Sequence, residues 1–195
     1  MPLPHAADWQ VHDTAGRRKY LNTDERQRFL SAADQFAAPT RALCYVLAFT
    51  GCRISEALAL DRTHIDVERM TLRFRTLKRR RLVFRDVPVP SAVTALLLAL
   101  PRSESGQVWT LHRATAWKHV QAVMERAGIE GPMACCRGLR HAYGMTAAAS
   151  SVPPGLIQRW LGHADLSTTL IYVDAVGVEE RQFAQRMWVE DPKSR

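Results

Sequence analysis

Apolar residues recur at helical spacing over most of the chain. Residues 22–25 combine an asparagine with a glutamate three positions later, a pairing that predicts the start of a first helix. A second apolar stripe runs through Leu43 and Leu47 and stops at Gly51, a residue suited to the left-handed conformation of a helix end. Further helices are predicted at about 91–100, 114–127, 138–150, 154–161, 166–172 and 177–188.

One part of the chain has a different period. Between residues 65 and 90, apolar and polar side chains alternate, first over 70–75 and again over 82–89. A period of two predicts β-strands, because successive side chains of a strand point to opposite faces of a sheet. A turn near 77–80 would join the two longer strands. The predicted fold is therefore mainly α with a small antiparallel three-stranded β-sheet.

Length and composition favour one compact domain. The 195 residues are 47% hydrophobic and 24% charged, an ordinary balance for a globular protein. Residues 1–19 have two early prolines and no periodicity, so we predict a flexible segment there and a folded domain over 20–195. The first residues lack the basic and apolar blocks of a signal peptide, and nowhere do about 18 apolar residues occur together. We expect neither a signal peptide nor a membrane span.

The charge of the chain predicts a polyanionic partner. The formal net charge is +8 and the isoelectric point is near 9.9, and a basic face gains affinity by releasing phosphate counterions. Charge alone does not separate DNA from RNA or from a membrane surface. The four cysteines form neither a CxxC pair nor the framework of a secreted disulfide protein, which favours a reduced, cytoplasmic setting.

Three short motifs carry candidate chemistry. They read TGCRISEAL at 50–58, GLRH at 138–141 and LGHADLSTTLIY at 161–172. Among the residues that they contain are, in chain order, Arg53, Arg140, His163 and Tyr172. With these residues in this order, the chain resembles over about 20–188 the catalytic domain of the tyrosine recombinase, or phage integrase, family.

The resemblance implies that these residues attack a phosphodiester. Such an attack requires a nucleophile, neutralisation of charge on the non-bridging oxygens and a proton donor for the departing 5′ oxygen. Tyr172 is expected to be the nucleophile, forming a 3′-phosphotyrosyl link without metal or ATP. Arg53 and Arg140 are expected to clamp the phosphate, because a guanidinium donates paired hydrogen bonds and stays charged. Glu56 either orients Arg53 or forms an ordinary helical ion pair with it.

The chain departs from the family pattern at one position. Arg137 stands three residues before the second arginine, where the family usually has a histidine. A guanidinium binds phosphate but cannot act as a general base, so another group or water must take up the tyrosine proton. His163 is expected to hydrogen-bond the phosphate or to help manage that proton. His141, next to Arg140, is a candidate substitute for the histidine that the family usually has, but its helical direction differs from that of Arg137 by four steps, so we expect a packing or capping role.

The predicted strand connection is strongly basic. The resemblance places at Lys78 the lysine that protonates the leaving oxygen. Seven of the thirteen positions from Arg73 to Arg85 are basic and none is acidic. A solvated run of charges would explain this composition. The alternative is a contact with the DNA backbone or minor groove, made by Arg75, Arg79, Arg80 and Arg81.

The helix predicted over 115–127 offers a surface for nucleic acid. Its pattern turns Trp117 inward and leaves a polar face outside. That face is predicted to lie in a major groove, with Arg113 and Lys118 on phosphates and Gln121 near base edges. An amphipathic surface helix that contacts no DNA is the alternative.

Together these features predict a site-specific DNA recombinase of the integrase, resolvase or invertase type. It would cut and rejoin double-stranded DNA as a homo-oligomer, by resemblance a tetramer on two DNA sites, with no cofactor. We expect a cytoplasmic, nucleoid-associated protein without the separate N-terminal core-binding domain of many family members, so a helper protein is a possible requirement. The last predicted helix, 177–188, either docks into a neighbouring protomer or packs on its own core.

Other functions share parts of this pattern. A catalytically impaired DNA-binding protein on the same fold would bind DNA without forming a covalent adduct. A type IB topoisomerase-like enzyme would use the same tyrosine chemistry and relax plasmids that lack paired sites. A metal-dependent hydrolase is disfavoured, because the histidines lack a ligand spacing such as HExxH.

Overall fold

The computed structural model describes residues 10–76, 83–104 and 106–174. The helices in these ranges are α1 (Thr23–Ala33), α2 (Ala38–Thr50), α3 (Ile54–Leu58), α4 (Ser91–Leu98), α5 (Arg113–Arg126), α6 (Cys136–Ala149), α7 (Pro154–Leu161) and α8 (Ser167–Asp174). The strands are β1 (Ile65–Asp66), β2 (Thr71–Thr76) and β3 (Val83–Pro88). The predicted fold class, mainly α with a small three-stranded sheet, is confirmed. Among the described helices, none has the length and apolar character needed to cross a membrane.

Local sequence explains where the helices begin and end. The Asn22 side chain accepts a hydrogen bond from the backbone N–H of Glu25, and the Glu25 side chain accepts one from the N–H of Asn22. Gly51 ends α2 with φ +60°, and Gly162 ends α7 with φ +68°. Both stops matter for function, because a candidate site residue follows each of them within two positions.

The sheet is antiparallel, with β2 between β1 and β3. Leu72 and Phe74 of β2 and Val87 of β3 are fully buried on its inner face. The alternation begins one residue later than predicted, because Met70 lies in the preceding turn with φ +50°. The turn predicted near 77–80 lies outside the described residues.

Two apolar clusters hold the domain together. In the larger one, Leu43 and Leu47 of α2 are buried as their stripe predicts, and α2 contacts α1, α4, α5 and α6. In the smaller one, Ile157 and Leu161 of α7 pack with Tyr172 of α8. The candidate nucleophile is thus part of the packed interior, with 1% of its surface exposed.

Packed structure begins earlier in the chain than the sequence predicts. Val11 is buried, and Arg18 donates two hydrogen bonds to the carboxylate of Glu25 in α1. The prediction of a flexible segment over 1–19 is therefore wrong for residues 11–19. A buried apolar side chain and an ion pair tie this stretch to the domain.

Helix α5 departs from its pattern at one position of the inner face. Trp117, predicted to face the core, is 49% exposed, whereas Val120 and Met124, at helical spacing from it, are buried, as is Ala116. The helix contacts α1, α2 and α3, and a small residue such as Ala116 permits close packing against three neighbours. The large indole is therefore displaced to the surface.

Candidate active site

A cleft of about 400 Å³ collects side chains from α3, α5, α6 and α8. Four guanidinium groups line it, and no carboxylate does so among the residues that the structure describes. The residues of the cleft that bear on function are Arg53, Arg113, Arg137, Arg140, His141 and Tyr172. Within the described ranges, no three His, Cys, Asp or Glu side chains cluster as a metal site requires. The cleft is thus a concave, strongly positive surface beside a buried phenol.

Arg140 lies deepest among the arginines of the cleft. Its side chain is on α6, and its Nη1 donates a hydrogen bond to the carbonyl oxygen of Gly51 at 2.7 Å. Its Nη2 is buried and has no partner among the described residues. Burial, followed by the charge of Arg53, lowers the pKa of Arg140 to about 10, so the group is still charged at neutral pH. A buried cation with an unused donor is suited to bind an anion.

Arg53 is held at the start of α3 by Glu56. The Glu56 carboxylate accepts hydrogen bonds from the backbone N–H and from Nη1 of Arg53, each at 2.9 Å. The same carboxylate accepts a 2.7 Å hydrogen bond from Nη2 of Arg85 on β3, and Arg85 Nε donates to the carbonyl oxygen of Trp160. Glu56 therefore joins the phosphate-clamp candidate to the sheet and to α7.

The Arg85–Glu56 pair was not foreseen from the sequence. Arg85 was counted among the basic residues of the hairpin, but it is only 6% exposed. Burial acts to raise the pKa of Glu56, but hydrogen bonds and charge from Arg85, with those of Arg53, outweigh it and lower the pKa. The carboxylate is thus anionic at neutral pH. Arg85 and Glu56 are 29 positions apart in the chain, so only the folded structure brings them into contact.

Tyr172 is packed against α6. Its ring lies over Gly144, where an added Cβ would come within 2.6 Å of the ring. The ring of His163 stacks on it with centroids 6.1 Å apart. Burial raises the pKa of Tyr172 to about 12, although the charge of Arg140 acts in the opposite direction. The residue is a neutral phenol at neutral pH and must lose its proton to act as a nucleophile.

The two histidines beside Tyr172 differ in their contacts. The Nδ1 of His141 lies 3.1 Å from Tyr172 Oη. The Nδ1 of His163 lies 2.8 Å from the Oγ1 of Thr169 instead. The packing role predicted for His141 agrees with its 3% exposure, and its imidazole also lies within hydrogen-bond distance of the candidate nucleophile. The sequence shows that His141 and Arg137 point in different directions from the helix. It does not show that α8 lies on the side to which His141 points.

Both histidines are buried as neutral groups. Burial, followed by the charge of Arg140, lowers the pKa of His141 to about 4 and that of His163 to about 3. An unfolded chain binds protons at these side chains near pH 6.5, whereas the folded chain does not until about pH 4. Below pH 6.5 the unfolded state therefore binds more protons, and the free energy of unfolding falls as the pH decreases.

We expect the free energy of unfolding to fall by as much as about 1.4 kcal/mol per pH unit for each histidine between pH 6 and pH 4. Urea unfolding of the wild type and of the double variant His141→Asn, His163→Asn at several pH values measures it. The double variant should show a flatter dependence of stability on pH in this window. If the stability of the two proteins depended on pH in the same way, the two histidines would not be the groups responsible.

The predicted DNA-contact residues occupy different settings. Arg113 lines the cleft, and Arg75 and Lys118 are exposed. Gln121, predicted to reach base edges, instead donates its side-chain amide to the carbonyl oxygen of Ala134 at 3.0 Å. This hydrogen bond holds the amide against the loop before α6, and the base contact of Gln121 stays a prediction. The predicted residues outside the described ranges are Lys78, Arg79, Arg80, Arg81 and the helix 177–188.

Comparison with known proteins places this arrangement in a family. The sequence model of the phage integrase family matches residues 19–177. The tyrosine recombinase XerD of Mycobacterium leprae (strain TN) is 32% identical over 184 residues, covering 82% of this chain and 58% of that protein. XerD of Bifidobacterium longum (strain NCC 2705) is 30% identical over 175 residues, covering 78% and 56%. The chain thus spans a little over half the length of these relatives.

Solved structures with low sequence identity share the fold. The XerA recombinase superimposes with a TM-score of 0.74 at 22% identity, over 88% of this chain and 66% of that one. The catalytic domain of bacteriophage HP1 integrase gives a TM-score of 0.64 at 19% identity, over 88% and 98%. Because the family model covers most of the chain and two XerD relatives are at least 30% identical over 78% or more of it, the chain belongs to the phage integrase family of tyrosine recombinases.

Proposed function

We propose that this chain is the catalytic part of a site-specific DNA recombinase that cuts and rejoins double-stranded DNA through a 3′-phosphotyrosyl intermediate. One observation carries the proposal: Tyr172 lines the same cleft as Arg53 and Arg140, and the buried Nη2 of Arg140 has no hydrogen-bond partner in the described part of the chain. A phosphodiester would satisfy that donor and offset the positive charge of the cleft. It would also bring phosphorus next to a phenol.

In this mechanism Arg53 and Arg140 hold the non-bridging oxygens of the scissile phosphate. Tyr172 Oη attacks phosphorus, loses its proton and displaces the 5′ oxygen, which takes up a proton in turn. We assign that second proton transfer to Lys78. The buried Nε2 of His163, without a partner among the described residues, is suited to donate to a phosphate oxygen. Rejoining follows the same steps in reverse with the 5′ hydroxyl of the partner strand.

The DNA around the scissile phosphate would be bound by the remaining basic residues. Arg113 and Arg137 line the cleft, while Arg75 and Lys118 are exposed, and a net charge of +8 favours a polyanion. We extend the same role to Arg79, Arg80 and Arg81. Two neighbours in fold are recombinases whose structures contain DNA, XerH with its difH substrate and the Tn1549 integrase with a circular intermediate. They support DNA as the ligand.

The assembly is also part of this proposal. We propose that copies of the chain assemble on two DNA sites as a tetramer, with residues 177–188 in the contacts between protomers. A helper protein and association with the nucleoid belong to the same proposal. Cross-linking of the protein in the presence and absence of its DNA site tests the assembly, because a protein that stays monomeric on DNA would contradict it.

The experiment that tests cleavage is trapping of the covalent complex. Wild-type protein is incubated with nicked suicide substrates, drawn from its genomic neighbourhood and from DNA selected by binding, in the presence of a metal chelator. We expect a protease-sensitive complex on denaturing gels, and mass spectrometry should place the nucleotide on the peptide that contains Tyr172. Binding without adduct on every substrate would favour the catalytically impaired DNA-binding alternative.

A further inference from the structure

We propose that His141 accepts the proton of Tyr172 during strand cleavage. This inference rests on the proposed function and names the group that makes the phenol nucleophilic. Arg137 lines the same cleft, but a guanidinium does not take up a proton. The tyrosine proton must therefore pass to another group or to water.

The first support is geometric. His141 Nδ1 lies 3.1 Å from Tyr172 Oη, within the range expected of a general base and its proton. No other hydrogen bond to Oη occurs among the described residues. His163 touches the same ring by stacking, but its Nδ1 is engaged with Thr169. Of the two neighbouring histidines, His141 is the one aligned with the reacting oxygen.

The second support is the way α6 is built. Positions 141 and 144 are three residues apart, so they lie on one face of the helix. Gly144 leaves room for the ring of Tyr172, which any Cβ would meet at 2.6 Å. His141, only 3% exposed, then meets the hydroxyl at the far end of the ring. Gly144, which has no side chain, and His141 lie on successive turns of α6. The helix therefore holds Tyr172 beside its proposed base.

Electrostatics determine when this acceptor can work. Burial and the positive charges of Arg140, Arg137 and Lys19 lower the pKa of His141 to about 4, so its imidazole is unprotonated but a weak base in the free protein. A phosphodiester bound by Arg53 and Arg140 would bring negative charge into the cleft. Negative charge nearby favours the protonated imidazole. The base would therefore gain strength only when DNA occupies the cleft.

The proton balance is complete. The Oη–phosphorus bond forms while the bond from phosphorus to the 5′ oxygen breaks, and the Tyr172 proton passes to His141 Nδ1. The 5′ oxygen takes a proton from Lys78 or from water. In rejoining, His141 returns its proton to Oη as the 5′ hydroxyl of the incoming strand attacks phosphorus. The role requires Nδ1 of His141 to be unprotonated before attack, with the ring proton on Nε2.

The test compares two variants at the same position. His141→Asn puts an amide near the place of Nδ1, so it keeps a hydrogen bond to Oη but takes up no proton, whereas His141→Ala removes both. We expect covalent complex formation to slow by about 10²–10⁴-fold in both variants, with DNA binding unchanged. Added imidazole should restore part of the rate of His141→Ala. A wild-type rate in His141→Asn would overturn the proposal, because it would show that His141 only positions Tyr172.

A second substrate separates the two proton transfers. In DNA with a 5′-bridging phosphorothiolate, the leaving sulfur needs no proton, so a variant that lacks only the leaving-group donor regains its rate. We expect the His141 variants to stay slow on this substrate. Recovery there would overturn the proposal by assigning His141 to the leaving group. If wild type forms no complex on any substrate, the proposed function fails; if wild type and both folded variants react equally, only this inference fails.

Discussion

Replacing Tyr172 with phenylalanine should abolish the covalent protein–DNA complex while DNA binding and the fold persist. The change removes one oxygen and keeps the ring that packs over Gly144 and beside His163. The lost hydrogen bond to His141 is worth about 1 kcal/mol, too little to unfold a domain. Without the nucleophile, cleavage should fall by more than about 10⁴-fold. Denaturing gels with suicide substrates measure the adduct, and mobility shifts measure binding.

A neighbouring tyrosine provides the matched control. Tyr143 is also on α6, and burial raises its pKa to about 12 as it does that of Tyr172. Its ring packs against Gly51, and it is absent from the lining of the cleft. Tyr143→Phe should therefore form the adduct at the wild-type rate. An adduct that survives Tyr172→Phe but is lost in Tyr143→Phe would show that the nucleophile is misassigned.

Replacing Glu56 with alanine should lower the free energy of unfolding by about 3–5 kcal/mol. The carboxylate is 1% exposed and pairs with Arg85, whose side chain is 4% exposed, and with Arg53. Removing it takes from the buried guanidinium of Arg85 the carboxylate that accepts its hydrogen bonds, which costs more than the lost contact itself. Such a loss is a large part of the stability of a typical domain. Urea unfolding followed by circular dichroism measures it.

The same sheet offers a control with an exposed ion pair. Arg73 and Asp86 form a 2.8 Å pair with side chains 50% and 43% exposed. Asp86→Ala should cost at most about 1 kcal/mol, because water and salt screen a surface pair. If Glu56→Ala is no more destabilising than Asp86→Ala, the Glu56 carboxylate does not hold α3 and β3 together.

The sequence determined the elements and most of the candidate site. Helical and alternating periods predicted the helices and the sheet, because side-chain direction repeats with the local backbone geometry. Gly51 and Gly162 indicated two helix ends, because glycine readily adopts the left-handed conformation found there. The resemblance of three motifs to the tyrosine recombinase family pointed to Arg53, Arg140 and Tyr172, and the structure places all three in one cleft.

Tertiary structure alone decided which distant side chains meet. His141 and Tyr172 are 31 positions apart, and their contact exists because α8 packs on α6 at Gly144. The sequence alone does not distinguish Arg85 from the surface charges around it, whereas the structure places it on β3 against Glu56. A local pattern records which face of an element is apolar, but not which neighbour covers that face. The proposed proton acceptor and the buried ion pair therefore follow from packing, whereas the candidate nucleophile and the candidate phosphate clamp were already visible in the motifs of the chain.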